Sequence, residues 1–150
     1  MVLAASLAFA VMSQNMGVTL NWETNYEAAL AKAKKLNRPV LANFTGSDWC
    51  GWCHKLRDEV FLTFKFKDWS DKRVVLLELD YPKQKKLSPE LIEQNDKLLS
   101  SYEVASYPTI LFLNAEGDVI GKSGYMREPG PYAWTKDADG QIAPWYAQKS

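Results

Sequence analysis

Residues Pro39-Val40-Leu41-Ala42-Asn43-Phe44-Thr45-Gly46-Ser47-Asp48-Trp49-Cys50-Gly51-Trp52-Cys53 decide how the rest of this chain is read. The apolar run from Val40 to Phe44 has the length and composition of a buried strand. Thr45-Gly46-Ser47-Asp48 then reads as a loop that delivers two cysteines to the start of a helix. Residues at i and i+3 on the first turn of a helix have Cα atoms roughly 5 Å apart, inside the window a disulfide tolerates. Cys50 and Cys53 can therefore open and close a bond with little backbone movement, as dithiol redox chemistry requires. They are the only cysteines in the chain. Two are too few for a disulfide scaffold, and their adjacency marks a site rather than a staple.

Working outward, Thr24 with Glu27 three residues later forms a capping box. Tyr26, Ala29, Leu30, Ala33 and Leu36 follow at helical spacing until Asn37-Arg38-Pro39 stops the helix. Leu56, Val60 and Phe61 give the helix after the cysteines a core face. Val74 to Asp80 is a near-continuous apolar run, which predicts a strand covered on both faces and lying centrally in its sheet. The lysine-rich segment Tyr81 to Leu87 reads as a solvated connection. Ser88-Pro89-Glu90 supplies a cap, a first-turn proline and a first-turn acid, and Leu91, Asn95, Leu98, Leu99 and Tyr102 continue a third helix. Thr109 to Leu113 and Val119 to Gly121 flank Asn114-Ala115-Glu116-Gly117-Asp118, a hairpin with glycine in its turn. This alternation predicts an α/β fold, a mixed β-sheet with helices on both faces. From about residue 126, Pro129, Gly130, Pro131, Gly140 and Pro144 interrupt the pattern, while Tyr132, Trp134, Trp145 and Tyr146 are scattered among polar residues. The expectation there is an irregular aromatic tail packed against the domain, with at most a short final helix.

A chain of 150 residues, 47% hydrophobic and 13% aromatic, can bury a core of its own and fits one domain over residues 17–150. Disordered and fibrous classes are excluded. Eighteen basic and eighteen acidic residues leave no formal net charge, which argues against electrostatic capture of nucleic acid. The expected partners are proteins or small thiols; with the dithiol reading these become protein thiols and disulfides and an upstream redox protein, with the chain itself a monomer. Val2 to Met12 is apolar, too short to span a bilayer but long enough for the core of a signal peptide, and Ala8-Phe9-Ala10 resembles a cleavage site. No Lys or Arg precedes it. Residues 1–16 are read as a signal-peptide remnant or flexible segment, and the protein as periplasmic or otherwise exported.

Trp49-Cys50-Gly51-Trp52-Cys53 after one strand, and Tyr107-Pro108-Thr109 before another, together resemble the thioredoxin-like family from about Trp22 to Tyr125. The segment Asp48 to Cys53 is most similar to exported single-domain bacterial members. The resemblance implies a thioredoxin-like fold and a thiol–disulfide oxidoreductase that needs no metal or organic cofactor. It makes Cys50 the nucleophile, at a helix N-terminus whose free N–H groups and dipole stabilise a thiolate. Cysteine titrates near ~8.5 when free and at roughly 3.5–7.5 in such sites. Cys53, one turn further in, becomes the less exposed resolving thiol. Trp49, Gly51 and Trp52 fall at the substrate-contacting rim, with Trp52 exposed and Trp49 better suited to core packing. Pro108 matches the family's cis proline, with the backbone of Tyr107 facing an extended substrate.

Two departures stand out. Asn43 occupies the place where many family members carry a buried acid that assists the resolving thiol, and an amide cannot accept that proton. Glu78 or Asp80 on the neighbouring strand is the candidate replacement, or else both sit at its solvated end; His54 is a further group able to tune Cys50. Gly51-Trp52 also replaces the Gly-Pro of strongly reducing members, which leaves redox direction open; it is the exported setting without a second redox domain that favours reduction. Competing readings remain. Cys50-Gly51-Trp52-Cys53-His54 satisfies the attachment signature of c-type haem, with His54 and Met126 as conceivable axial ligands. A zinc site is weaker, because Cys50, Cys53 and His54 are too crowded to supply three ligands. A non-catalytic binding or chaperone module on the same fold is the third.

Overall fold

Strand β1 (Val40–Thr45) is buried along its whole length and forms the inner axis of a four-stranded sheet. The computed structural model describes residues 17–127 and 130–150, so the export signal read in residues 1–16 lies outside the described residues. Strand β2 (Val75–Asp80) runs parallel to β1, β3 (Thr109–Leu113) antiparallel to β1, and β4 (Val119–Ser123) antiparallel to β3. The order β2-β1-β3-β4 is the expected mixed sheet. One expectation fails: β2 is an edge strand, not a central one. Its far side carries an isolated parallel bridge, in which Glu23 N–H donates to the Leu76 carbonyl at 2.9 Å and Glu78 N–H to the Glu23 carbonyl at 2.8 Å. The apolar composition of β2 records burial on both faces, which an edge strand under two helical layers also experiences.

Helix α1 (Tyr26–Leu36) is capped by Asn25, whose side chain accepts the Ala28 N–H, rather than by the Thr24 capping box. Gln94 holds that entry from outside: its Oε1 accepts the Tyr26 N–H and its Nε2 donates to the Thr24 carbonyl. Asn37 ends the helix in the left-handed region at φ 51°. Helix α2 (Gly51–Leu56) begins immediately after Cys50 and widens into a π turn over Arg57–Phe61, where Leu62 N–H donates to the Arg57 carbonyl. Helix α3 (Phe64–Arg73), capped by Thr63, has no counterpart in the sequence reading. Its charged residues hide a narrow buried stripe of Phe66, Trp69 and Ser70. Helix α4 (Pro89–Ser101) follows the Ser88 cap as expected.

The irregular tail is also corrected. Residues Pro131–Ala147 form a continuous helix, α5, with Pro131 in the first turn, where its missing N–H costs nothing, and Pro144 inside. Interior Gly and Pro oppose helix by roughly 1 and 3 kcal/mol. Burial of Trp134, Thr135, Ala138 and Ile142 offsets this, since each large apolar side chain contributes about 1.5–3 kcal/mol. Of the aromatic residues here, Trp134 and Tyr146 pack on the domain, Tyr132 is exposed, and Trp145 meets Tyr146 edge-on within its own helix.

Alternate residues of the strands build two cores. Leu41, Leu76, Ile110 and Phe112 face α2, α3 and α5, where Trp134 meets Phe61, Phe66 and Trp69 with ring centroids 5.9, 5.6 and 5.9 Å away. Val40, Ala42, Phe44, Leu77, Leu79 and Leu111 face α1 and α4. The β3–β4 turn needs Gly117: its φ is 85°, and a Cβ there would collide with the Tyr26 hydroxyl. No helix among the described residues is long and apolar enough to cross a membrane. The strand period of two has one further consequence for the site. Asn43 and Thr45, with their register partners Glu78 and Asp80, share the face of Leu41 and Leu76, beneath α2.

Candidate active site

Cys50 is the N-cap of α2, and its Sγ accepts the Cys53 N–H at 3.2 Å. The two sulfurs are joined in a disulfide across a Cα separation of 5.2 Å. A sulfur in this position faces the unpaired amide donors of the first helical turn, which favour its anionic form. Exposure does not distinguish the cysteines as expected, because both are 5% exposed in this oxidised form.

Trp49 is held at the rim rather than in the core. Its indole N–H donates to the Tyr81 carbonyl at 2.8 Å, its ring meets Tyr107 edge-on at 5.6 Å, and Lys83 Nζ lies 4.2 Å from its centroid. This seat requires Gly46, where a Cβ would overlap the indole. Trp52 is 58% exposed, as expected, and its ring lies 5.0 Å from Tyr125. Lys55 approaches both rings. The Tyr107–Pro108 peptide bond is cis. Together Trp52, Tyr107, Pro108, Tyr125 and Arg127 line an open groove of about 310 Å³ beside the cysteines. Tyr125 donates its hydroxyl to Glu59 at 2.9 Å, which raises the phenol above its ordinary range. Sequence reasoning missed Tyr125 and Arg127, since nothing local marks a residue after an edge strand as part of a site formed elsewhere.

Beneath α2 a second cavity of about 140 Å³ is lined by Cys53, His54, Asn43, Thr45, Glu78 and Trp22, among others. Asn43 is 6% exposed, and its Oδ1 is the one buried side-chain polar atom without a hydrogen-bond partner among the described residues. Glu78 is half-buried in the same cavity. Burial raises its carboxyl above the ordinary range, the neighbouring charge of Asp80 adds to the rise, and Lys85 opposes it. Asp80 is engaged differently: its Oδ1 accepts the Ser47 N–H at 2.9 Å, Oδ2 accepts the Ser47 hydroxyl, and Lys85 lies 3.8 Å away. It is a buried anchor for the loop before the cysteines, not a group at a solvated strand end. His54 donates from Nε2 to the Ser47 carbonyl at 2.8 Å. Of the sequence-chosen residues, the structure thus brings Cys53, His54 and Glu78 to one cavity, Trp52, Tyr107 and Pro108 to one groove, and leaves Asp80 in a structural bond.

The site differs from haem attachment on three counts. The cysteine sulfurs are bonded to each other, the His54 Nε2 is occupied by Ser47, and Met126 packs against the sheet core.

A bonded cysteine pair at a helix start, with a cis proline ahead of a neighbouring strand in a mixed sheet of this order, defines a class. The family model described as thioredoxin-like domain matches residues 26–139, and the chain belongs to that family. Among individual proteins it is similar to the disulfide bond reductase DsbH of Chlamydia pneumoniae, 34% identical over 111 residues, covering 74% of this chain and 65% of the relative. It is also similar to the thioredoxin-related protein DsbJ of Chlamydia pneumoniae, 32% identical over 103 residues, covering 69% of this chain and 30% of that relative. The chain therefore spans less than two thirds of the length of either. A solved structure of a DsbH oxidoreductase superposes with a TM-score of 0.79 at 27% identity, covering 93% of this chain and 95% of that one.

Proposed function

We propose that this protein is a thiol–disulfide oxidoreductase that reduces disulfides in other proteins through Cys50 and Cys53. The observation that carries the reading is the Cys50 sulfur placed as acceptor at the start of α2 and bonded to Cys53. In the reduced protein the Cys50 thiolate attacks one sulfur of the substrate disulfide. A mixed disulfide forms and the other substrate sulfur leaves as a thiolate. Cys53 then gives up its proton and attacks Cys50 Sγ, which releases the second substrate thiolate and regenerates the Cys50–Cys53 disulfide. The substrate gains two electrons and the protein dithiol loses them, so an upstream thiol reductant must reset the protein.

Glu78 is the proton acceptor for Cys53 in this scheme. Its raised carboxyl shares the cavity with that thiol, whereas Asp80 is committed to Ser47. His54 positions the loop ahead of Cys50 through the Ser47 carbonyl. The groove of Trp52, Tyr107 and Pro108, with Trp49 and Gly51 at its edge, receives the substrate chain as an extended segment. The reducing direction is supported by the resemblance to a protein named as a disulfide bond reductase. An exported setting is supported by the apolar stretch Val2 to Met12.

Two measurements test this. Intact mass of Cys53→Ser incubated with a disulfide-bonded protein should show mixed disulfides that Cys50→Ser does not form; no adduct in either variant refutes the reading. Equilibration with thiol–disulfide buffers should place the couple near about −270 mV, whereas a value of about −120 to −180 mV would make it an oxidant or isomerase.

A further inference from the structure

The reducing site has a charged neighbour that the chemistry of the dithiol does not require. Asp48, two residues before Cys50, holds the loop after β2 through three backbone donors. Its Oδ1 accepts the Lys83 N–H at 2.9 Å, and its Oδ2 accepts those of Gln84 and Lys85 at 2.8 and 2.7 Å. These bonds, that from Lys83 foremost, keep the Asp48 carboxyl below its ordinary range. Trp49 adds the bond to the Tyr81 carbonyl and the stacking of Lys83 on its ring. The catalytic motif thus fixes the backbone of a lysine-rich loop that would otherwise be free to wander.

That loop borders an open cleft of about 510 Å³. Tyr81, Pro82, Leu87 and the exposed Ile92 give it an apolar floor, and Lys83, Lys85 and Lys86 give it a basic rim. The floor is braced from below: the Tyr81 hydroxyl donates to the Asn95 carbonyl at 2.6 Å and Asn95 Nδ2 to the Asp80 carbonyl at 3.1 Å. Lys85 faces Asp80, but among the described residues Lys83 and Lys86 make no ion pair. Asp96 is the one acidic side chain on the cleft's other wall. The cleft is continuous with the reducing site, since the Tyr81 ring lies 5.4 Å from Tyr107, which itself abuts Trp49 and precedes Pro108.

We infer that this cleft receives an acidic, apolar segment of the substrate protein flanking its disulfide, and that Lys83 and Lys86 select for it. An apolar substrate side chain lies on Tyr81, Leu87 and Ile92, while carboxylates on either side of it meet Lys83 and Lys86, neither of which is in an ion pair among the described residues. The inference rests on the reductase reading and adds a substrate class to it. Neither lysine has an ion pair to break, although Lys83 also rests on the Trp49 ring, so the preference is expressed mainly in capture of the substrate and weakens with salt.

The test uses the full chain in its reduced form with two disulfide-bonded peptides, identical except for Glu-Leu-Glu or Gln-Leu-Gln beside the cysteine, and with bis(2-hydroxyethyl) disulfide as a reference. The acidic peptide should be reduced with kcat/KM about tenfold above the amide peptide at low salt, and the ratio should shrink towards one in about 0.5 M sodium chloride. In Lys83→Ser/Lys86→Ser the ratio should already be near one at low salt. A wild-type ratio near one, or an acidic preference that survives the double substitution, overturns the cleft assignment. Failure of the wild-type protein to reduce bis(2-hydroxyethyl) disulfide overturns the reductase reading instead. Sedimentation showing a dimer whose formation Ile92→Glu abolishes would assign the cleft to a second copy of the chain and likewise overturn it.

Discussion

In the proposed scheme Glu78 meets two opposed demands. A carboxylate half-buried beside Asn43 and Asp80 costs stability, because burial and a like charge both disfavour its ionised form. The same shift makes it a better proton acceptor near neutral pH for a thiol in its cavity. Glu78→Gln should therefore slow release of substrate from the mixed disulfide by about tenfold to a hundredfold, with Glu78→Asp intermediate, as read by stopped-flow turnover. The rate should rise with pH through a value above the usual carboxylate range in the wild-type protein and lose that limb in the Gln variant. Stability should move the other way. With its folded pKa raised, Glu78 favours the folded state fully only below its unfolded pKa, and that contribution is lost as pH rises through the folded value. The Gln variant should melt higher than wild type at pH 7 and show no such gain near pH 3, by calorimetry. Sequence placed Glu78 and Asp80 together as candidates. Only the bonds to Ser47 separated them, and no local pattern reports which carboxylate a loop will capture.

At the scale of elements, the loop Tyr81 to Leu87 was legible as polar and lysine-rich, but not as ordered. Order comes from Asp48, thirty-five residues distant from Lys83 in sequence. Asp48→Ala should raise amide hydrogen exchange at Lys83, Gln84 and Lys85 while leaving β1 protected. Because the Asp48 carboxyl is held low, its support is present at neutral pH and is lost only as pH falls through that lowered value, so the same loosening should appear in acid. Helix α3 went unseen because its buried stripe is three residues wide among charges. Its cap is ordinary: Thr63 accepts the Phe66 N–H, and Thr63→Ala should cost about 1 kcal/mol in urea unfolding. The π turn over Arg57–Phe61 likewise has no sequence signal; packing of Val60 and Phe61 into the core sets it.

At the scale of the whole molecule, α5 closes one side of the sheet. Trp134 is 1% exposed among Phe61, Phe66 and Trp69, and its indole N–H donates to the Gly124 carbonyl at 3.0 Å. Trp69 and Tyr146 tie the same helix to α3 through Asp139 and the Arg73 carbonyl. Trp134→Ala should lower unfolding free energy by about 3–5 kcal/mol and loosen the wall that supports α2, measured by denaturant titration of the oxidised protein. By itself, the sequence determined the dithiol, the alternation of strands and helices, the hairpin at Gly117 and the mixed character of the sheet. Each of these is written in local spacing: two residues apart on a strand, three or four on a helix, a glycine where φ must be positive. Tertiary structure alone decided that β2 lies at an edge, that residues 131–147 are helical despite Gly140 and Pro144, that Glu78 shares a cavity with Cys53, and that Asp48 carries the lysine loop. Those outcomes depend on contacts between residues tens of positions apart, where burial and hydrogen-bond satisfaction outweigh the conformational preference of any single residue.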